Sequence, residues 1–185
     1  MKVAFDTATL LFLLSPNPGT VLDSSGKPIA DIKQRIEFLI EELETARAQI
    51  IIPTPAFSEV SVRAENATSK YWEIVRTSKY FRLEPFDIRA AVEAAEMTKK
   101  ALGSGKGKRG DSSDPWPKVK FDRQIVAIAK VCGASKIYSQ DKGVTTVAHS
   151  VGIPVIDAAS LPLRPSVAQP DMFKLARPEE RKPRA

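Results

Sequence analysis

Ile50-Ile51-Ile52-Pro53-Thr54-Pro55-Ala56-Phe57-Ser58-Glu59 decides the fold. Three β-branched residues in a row make a buried strand, and Pro53, which has no N–H for a ladder, ends it. Thr54 then caps a helix whose first turn accepts Pro55, and that helix carries Phe57, Glu59, Val60 and Val62. A buried strand running straight into a helix is half of a βαβ unit, the building block of a parallel sheet.

The same unit recurs on both sides. Upstream, Val3 to Phe5 reads as a short buried strand stopping at Asp6, and Thr7 to Leu14 is too apolar for a surface helix. Ser15 to Pro28 gathers prolines and glycines and reads as a loop. Asp31 opens an amphipathic helix with Ile32, Ile36, Leu39, Ile40 and Leu43 on one face. Downstream, weaker helical signal runs from Tyr71 to Val75, and Phe81 to Phe86 is a strand. Asp87 caps a helix bearing Ile88, Ala91, Val92 and Ala95. Past the low-complexity stretch Gly103 to Pro117, a helix bears Ile125, Ala129 and Cys132 and stops at Gly133. Lys136 to Tyr138 is a strand, Lys142 to Ser150 a helix, and Ile153 to Ile156 the last strand.

This alternation predicts an α/β fold of three layers, α/β/α, around a central parallel sheet. The 185 residues fit one domain, placed at residues 1–160, with residues 161–185 a proline-rich basic tail.

Ligands of such sheets sit beyond the carboxyl ends of the strands, and those ends carry acids here. The first strand delivers Asp6, the second leads to Glu59, and the strand at Lys136 to Tyr138 delivers Ser139 and Asp141. Asp122 lies in the first turn of the preceding helix. Singly, each acid has a plain role: Asp6 as a helix cap, Asp122 against a helix dipole, Asp141 in a turn, Glu59 on a solvated face. Together in one cleft they would repel one another unless a divalent cation neutralised them.

Composition narrows the chemistry. One histidine, His149, and one cysteine, Cys132, exclude a disulfide framework and a His- or Cys-rich zinc site. Oxygen-only ligands favour Mg²⁺ or Mn²⁺, which can activate water for attack on a phosphodiester with no protein nucleophile. The net charge of +6 and a pI near 9.5 accompany a polyanionic partner. No apolar run approaches the roughly 20 residues of a membrane span, and Asp6 comes too early for a secretion signal. These features and the lone thiol predict a cytoplasmic protein with no membrane contact.

Four segments resemble the PIN-domain ribonucleases, the group that includes VapC-like toxins of bacterial toxin–antitoxin pairs. They are Val-Ala-Phe-Asp6-Thr, Ile-Pro-Thr-Pro-Ala-Phe-Ser-Glu59-Val, Asp122-Arg-Gln-Ile-Val-Ala-Ile-Ala and Ile-Tyr-Ser139-Gln-Asp141, in family order over about residues 2–158. The resemblance implies a Mg²⁺- or Mn²⁺-dependent endoribonuclease with Asp6, Glu59, Asp122 and Asp141 around the metal and the Ser139 hydroxyl ordering the site. It also implies an antitoxin protein as partner and a homodimer. Val144 stands where the family often has an aromatic residue, and the Ser15 to Pro28 loop, the Gly103 to Pro117 loop and the tail are additions.

Gly103-Ser-Gly-Lys-Gly-Lys lacks the spacing of a phosphate-binding P-loop. Its expected role is a basic loop ahead of Asp122, with Lys106, Lys108, Arg109, Lys118, Lys120 and Arg123 against the RNA backbone; a solvated loop is the plain alternative. Trp116 either stacks on a base or anchors its loop. His149 is expected at the surface and Cys132 in the core, while Asp157 either joins the acidic edge or caps Ala158 to Leu161.

One rival is a PIN-like module that binds RNA or protein without cutting. Phosphotransfer domains of the haloacid-dehalogenase or receiver type fit less well. The first wants Asp-x-Asp where this chain has Asp6-Thr7-Ala8, and the second wants an acidic pair that is missing.

Overall fold

Successive residues of each strand point to opposite faces of the sheet, which gives the protein two cores. The computed structural model describes residues 1–165 apart from Asn17 and Ser24. The strands are β1 (Lys2–Phe5), β2 (Gln49–Pro53), β3 (Phe81–Glu84), β4 (Ile137–Tyr138) and β5 (Val155–Ile156). All pair in parallel, in the order β3-β2-β1-β4-β5. The helices are α1 (Thr7–Leu14), α2 (Ile32–Thr45), α3 (Thr54–Ala64), α4 (Thr68–Thr77), α5 (Ile88–Gly103), α6 (Trp116–Val131) and α7 (Lys142–Ser150).

Val3, Phe5, Ile50, Ile52 and Tyr138 point to the side packed by α1 to α4, against Leu10, Ile36, Leu39 and Val60. Ala4, Ile51 and Ile137 point to the other, packed by α5 to α7 with Met97, Val126, Ile128 and Val147. The three-layer α/β/α architecture is therefore as the alternation predicts. No helix among the described residues is long and apolar enough to cross a membrane.

Two local expectations, the inner face of α5 and the first-turn position of Asp122, are corrected. On α5, Ile88 and Val92 are 83% and 59% exposed, and the buried residues are Ala90 and Met97. The helix offers two stripes, and the one with small Ala90 and Ala94 permits close packing on α6, where bulkier Ile88 and Val92 would hold the helices apart. Val62 on α3 is exposed as well. Asp31 opens α2 as the sequence predicts, from a left-handed conformation, φ 56°, and without a side-chain cap bond. Asp122 lies in the second turn of α6, too far in to offset the helix dipole.

Of the tail placed at residues 161–185, only 161–165 fall within the described residues. Leu161 is buried in the first core, its carbonyl accepts from Arg35, and Arg164 pairs with Glu41.

Candidate active site

The sheet reverses its winding between β1 and β4, and at that crevice the carboxyl ends of both strands deliver their polar residues. Asp6, directly after β1, is buried and caps α1. Its Oδ1 accepts the Thr9 N–H at 2.8 Å and its Oδ2 accepts the Ser139 hydroxyl at 2.5 Å. Ser139, buried after β4, accepts the Asp141 N–H at 3.0 Å on the same oxygen. Asp141 in turn caps α7, its Oδ1 accepting N–H bonds from Gly143 at 2.6 Å and Val144 at 3.3 Å. The plain capping role and the strand-end placement coexist in both aspartates.

Glu59 reaches the same crevice from α3. Its Oε2 accepts the Thr7 hydroxyl and its Oε1 pairs with Arg63, each at 2.9 Å. Asp122 enters from α6. Asp6, Glu59, Asp122 and Asp141 all line one cavity of about 570 Å³, with Arg63 and Lys118. The structure thus brings the four expected acids together, with Ser139 bonded to two of them.

Burial pushes the Asp6 carboxyl up to about 6, against the bonds from Ser139 and Thr9 that favour its ionised form. Burial likewise pushes Asp122 up to about 6, with the Asp141 charge adding and Lys118 opposing. Lys118 is the counter-charge. Its Nζ lies 2.9 Å from Asp141 Oδ1, 3.0 Å from Asp114 Oδ2 and 3.4 Å from Asp122 Oδ2. Burial pulls its pKa down, but the bonds to Asp141 and Asp114 outweigh that and hold the ammonium above the usual lysine range.

No protein-family model matches the sequence, and no curated protein matches it either. Solved structures do match. A chain in the structure of FitAB bound to the IR36 DNA fragment has TM-score 0.55 and 17% identity, over 88% of this chain and 98% of that one. A chain of VapBC2 from Rickettsia felis, bound to a DNA fragment from its promoter, has TM-score 0.56 and 11% identity, over 85% and 98%. A chain of DNA-bound VapBC from Salmonella typhimurium has TM-score 0.53 and 17% identity, also over 85% and 98%. The fold is PIN-like.

Within this PIN-like fold the six expected basic residues do not all gather at the acidic cavity. Arg123 is buried, and its Nη1 donates to the Lys108 carbonyl at 2.6 Å and to Thr98 Oγ1 at 3.1 Å. It pins the loop from beneath. Lys108 and Arg123 lie over the Trp116 ring, at 5.0 and 5.5 Å, so Trp116 anchors the loop. Lys106 pairs with Asp111, and Lys106 and Arg109 line a separate cavity of about 210 Å³ that shares no residue with the acidic one. Lys120 is exposed, and two residues along an α-helix turn it to the side opposite Lys118. Of the six expected cations only Lys118 lines the acidic cavity.

Sequence reasoning missed three other residues there. Arg63 lies four residues after Glu59, a spacing that puts both on one face of α3. Asp114 stands four before Lys118, just ahead of α6, and Asp122 stands four after it on the helix, so an acid flanks the lysine on each side in sequence. A Cβ on Gly143 would sit 2.2 Å from Asp122 Oδ2, so only glycine lets α7 start this close to α6. Single-sequence inspection has no sign of that last approach. His149 is exposed, Cys132 packs partly buried against the second core, and Asp157 caps Ala158–Ser160 through the Ser160 N–H at 2.8 Å.

The donor set suits a hard divalent cation. Its carboxylates are oxygen ligands throughout, and a lysine ammonium already lies where oxygens of Asp114, Asp122 and Asp141 come within 4.8 Å of one another.

Proposed function

We propose that this protein is a Mg²⁺- or Mn²⁺-dependent endoribonuclease of PIN type. The observation that carries the reading is the convergence of Asp6, Glu59, Asp122 and Asp141, from four separate segments, on one cavity at the sheet's switch point. These four would hold the ion, with Asp114 beside them. The chemistry a bound ion supplies is a water of lowered pKa and positive charge near the leaving oxygen.

The chain's own residues do the rest. Ser139 fixes the Asp6 carboxylate from one side while the Thr9 N–H fixes it from the other. Asp141 is oriented by the first turn of α7. Arg63, exposed at the cavity and held by Glu59, is the side chain best placed to meet a phosphate of the RNA.

The FitAB and VapBC likenesses and the VapC-like motifs extend the proposal to a toxin with a protein partner and a homodimer. Exposed Val62 on α3 and Trp72 on α4 offer apolar contact on the early helices.

The test is cleavage of a generic single-stranded RNA with Mg²⁺, with Mn²⁺ and with EDTA. Cleavage is expected only with metal, and Asp6→Asn and Asp122→Asn should each lower it at least about 100-fold while the protein still folds. Full activity of either variant would sink the reading. One observation favours the rival of a non-cutting module: the Lys118 ammonium already sits among the acids. Binding of RNA without metal-stimulated cleavage would establish that rival.

A further inference from the structure

We propose that Lys118 is the resident cation of the acidic cavity: its ammonium and the divalent ion compete for the same carboxylates, so metal entry displaces Lys118 toward the substrate. The inference rests on the metal-dependent reading above.

Three elements deliver the charges. Asp114 comes from the segment before α6, Asp122 from its second turn and Asp141 from the start of α7. Their oxygens lie within 4.8 Å of one another, and uncompensated carboxylates at that spacing repel strongly. Lys118 supplies the compensation from within, with bonds of 2.9, 3.0 and 3.4 Å to Asp141, Asp114 and Asp122. Its position is built into the chain, because Asp122 stands one helical turn after it on α6 and Asp114 lies just before the start of the same helix.

The ammonium already sits between these acids. A Cβ on Gly143 would meet Asp122 Oδ2 at 2.2 Å and Lys118 Nζ at 2.9 Å, so α7, α6 and the ammonium already close upon one another. A divalent ion coordinated by Asp122 and Asp141 would take oxygens Lys118 now holds and would repel its charge.

Lys118 can move where Asp122 cannot. Its side chain is 40% exposed on a flexible four-carbon stem, whereas that of Asp122 is 6% exposed. Asp114, from the segment before α6, remains as its partner after the exchange. The consequence is an order of events: metal first, then a lysine released from Asp122 and Asp141 beside the ion to meet the phosphate.

The experiment measures Mn²⁺ binding without RNA, by electron paramagnetic resonance of free Mn²⁺, on the wild type, Lys118→Met, Lys118→Gln and Lys118→Arg. The neutral variants should bind Mn²⁺ roughly tenfold more tightly, and the arginine variant should stay close to wild type. On the wild type itself, Mn²⁺ should raise labelling of the Lys118 amine by an amine-reactive ester, read by mass spectrometry, which needs no variant to fold. Equal or weaker Mn²⁺ binding in the neutral variants overturns the inference and leaves the nuclease reading standing. Unchanged labelling at saturating Mn²⁺ also overturns it. No Mn²⁺ binding in any form overturns both.

Discussion

Ser139 is the residue whose role can be separated most cleanly from its structure. Its hydroxyl donates to Asp6 and accepts from the Asp141 N–H, so one oxygen links two of the four acids. The bond to Asp6 favours the ionised carboxylate against the burial that pushes it up to about 6. Ser139→Ala removes the donor, so Asp6 should hold its proton to a still higher pH. The acid limb of the cleavage profile should then move upward and metal affinity should fall about 10–100-fold, with Ser139→Thr restoring both. A profile that drops in height without moving would show that the hydroxyl only packs. Asp6, Ser139 and Asp141 were legible in the sequence because a strand end followed by a helix cap is a local signal. The inward turn of Lys118 was not, because it stands in a basic stretch and only the spacing to Asp114 and Asp122 marks it.

At the scale of elements, the βα units were legible wherever strand and helix differ sharply in composition, as at Ile50 to Glu59. The inner face of α5 was not, since two stripes compete and packing against α6 selects the smaller side chains. The segment between α5 and α6 was only partly legible for a related reason. It has the composition of a solvated arm, but Arg123 holds it down through the Lys108 carbonyl and the Trp116 ring. Arg123→Ala would strip a buried charged donor from that carbonyl and from Thr98, a loss of about 2 kcal/mol in a urea melt. Trypsin should then cut faster at Lys106, Lys108 and Arg109, while metal-dependent cleavage of RNA is retained. Unchanged stability with lost RNA binding would instead return the segment to the role of a nucleic-acid arm.

For the whole molecule, a net charge of +6 conceals an acidic cavity that the fold holds against its own preference. Asp6 and Asp122 sit at about 6 in the folded protein, above the ordinary aspartate value near 3.9 in the unfolded chain. Between about pH 4 and pH 6 the folded state therefore binds more protons than the unfolded one, and stability must fall as pH rises through that window. The contribution of these two groups is full below about pH 4 and gone above about pH 6, the reverse of a salt-bridged aspartate. A divalent ion that binds the ionised acids of the folded state alone restores stability by mass action, more at about pH 7.5 than at about pH 5. The metal-free protein should thus melt several degrees lower at about pH 7.5 than at about pH 5, with Mg²⁺ narrowing the gap. Asp6→Asn, which keeps the shape without the charge, should flatten the metal-free profile and raise the melting temperature at the higher pH. Calorimetric melts of both proteins, with and without Mg²⁺, check the sign directly. A metal-free melting temperature that rises across this window, equally in wild type and Asp6→Asn, would mean that neither buried carboxylate carries the strain assigned to it.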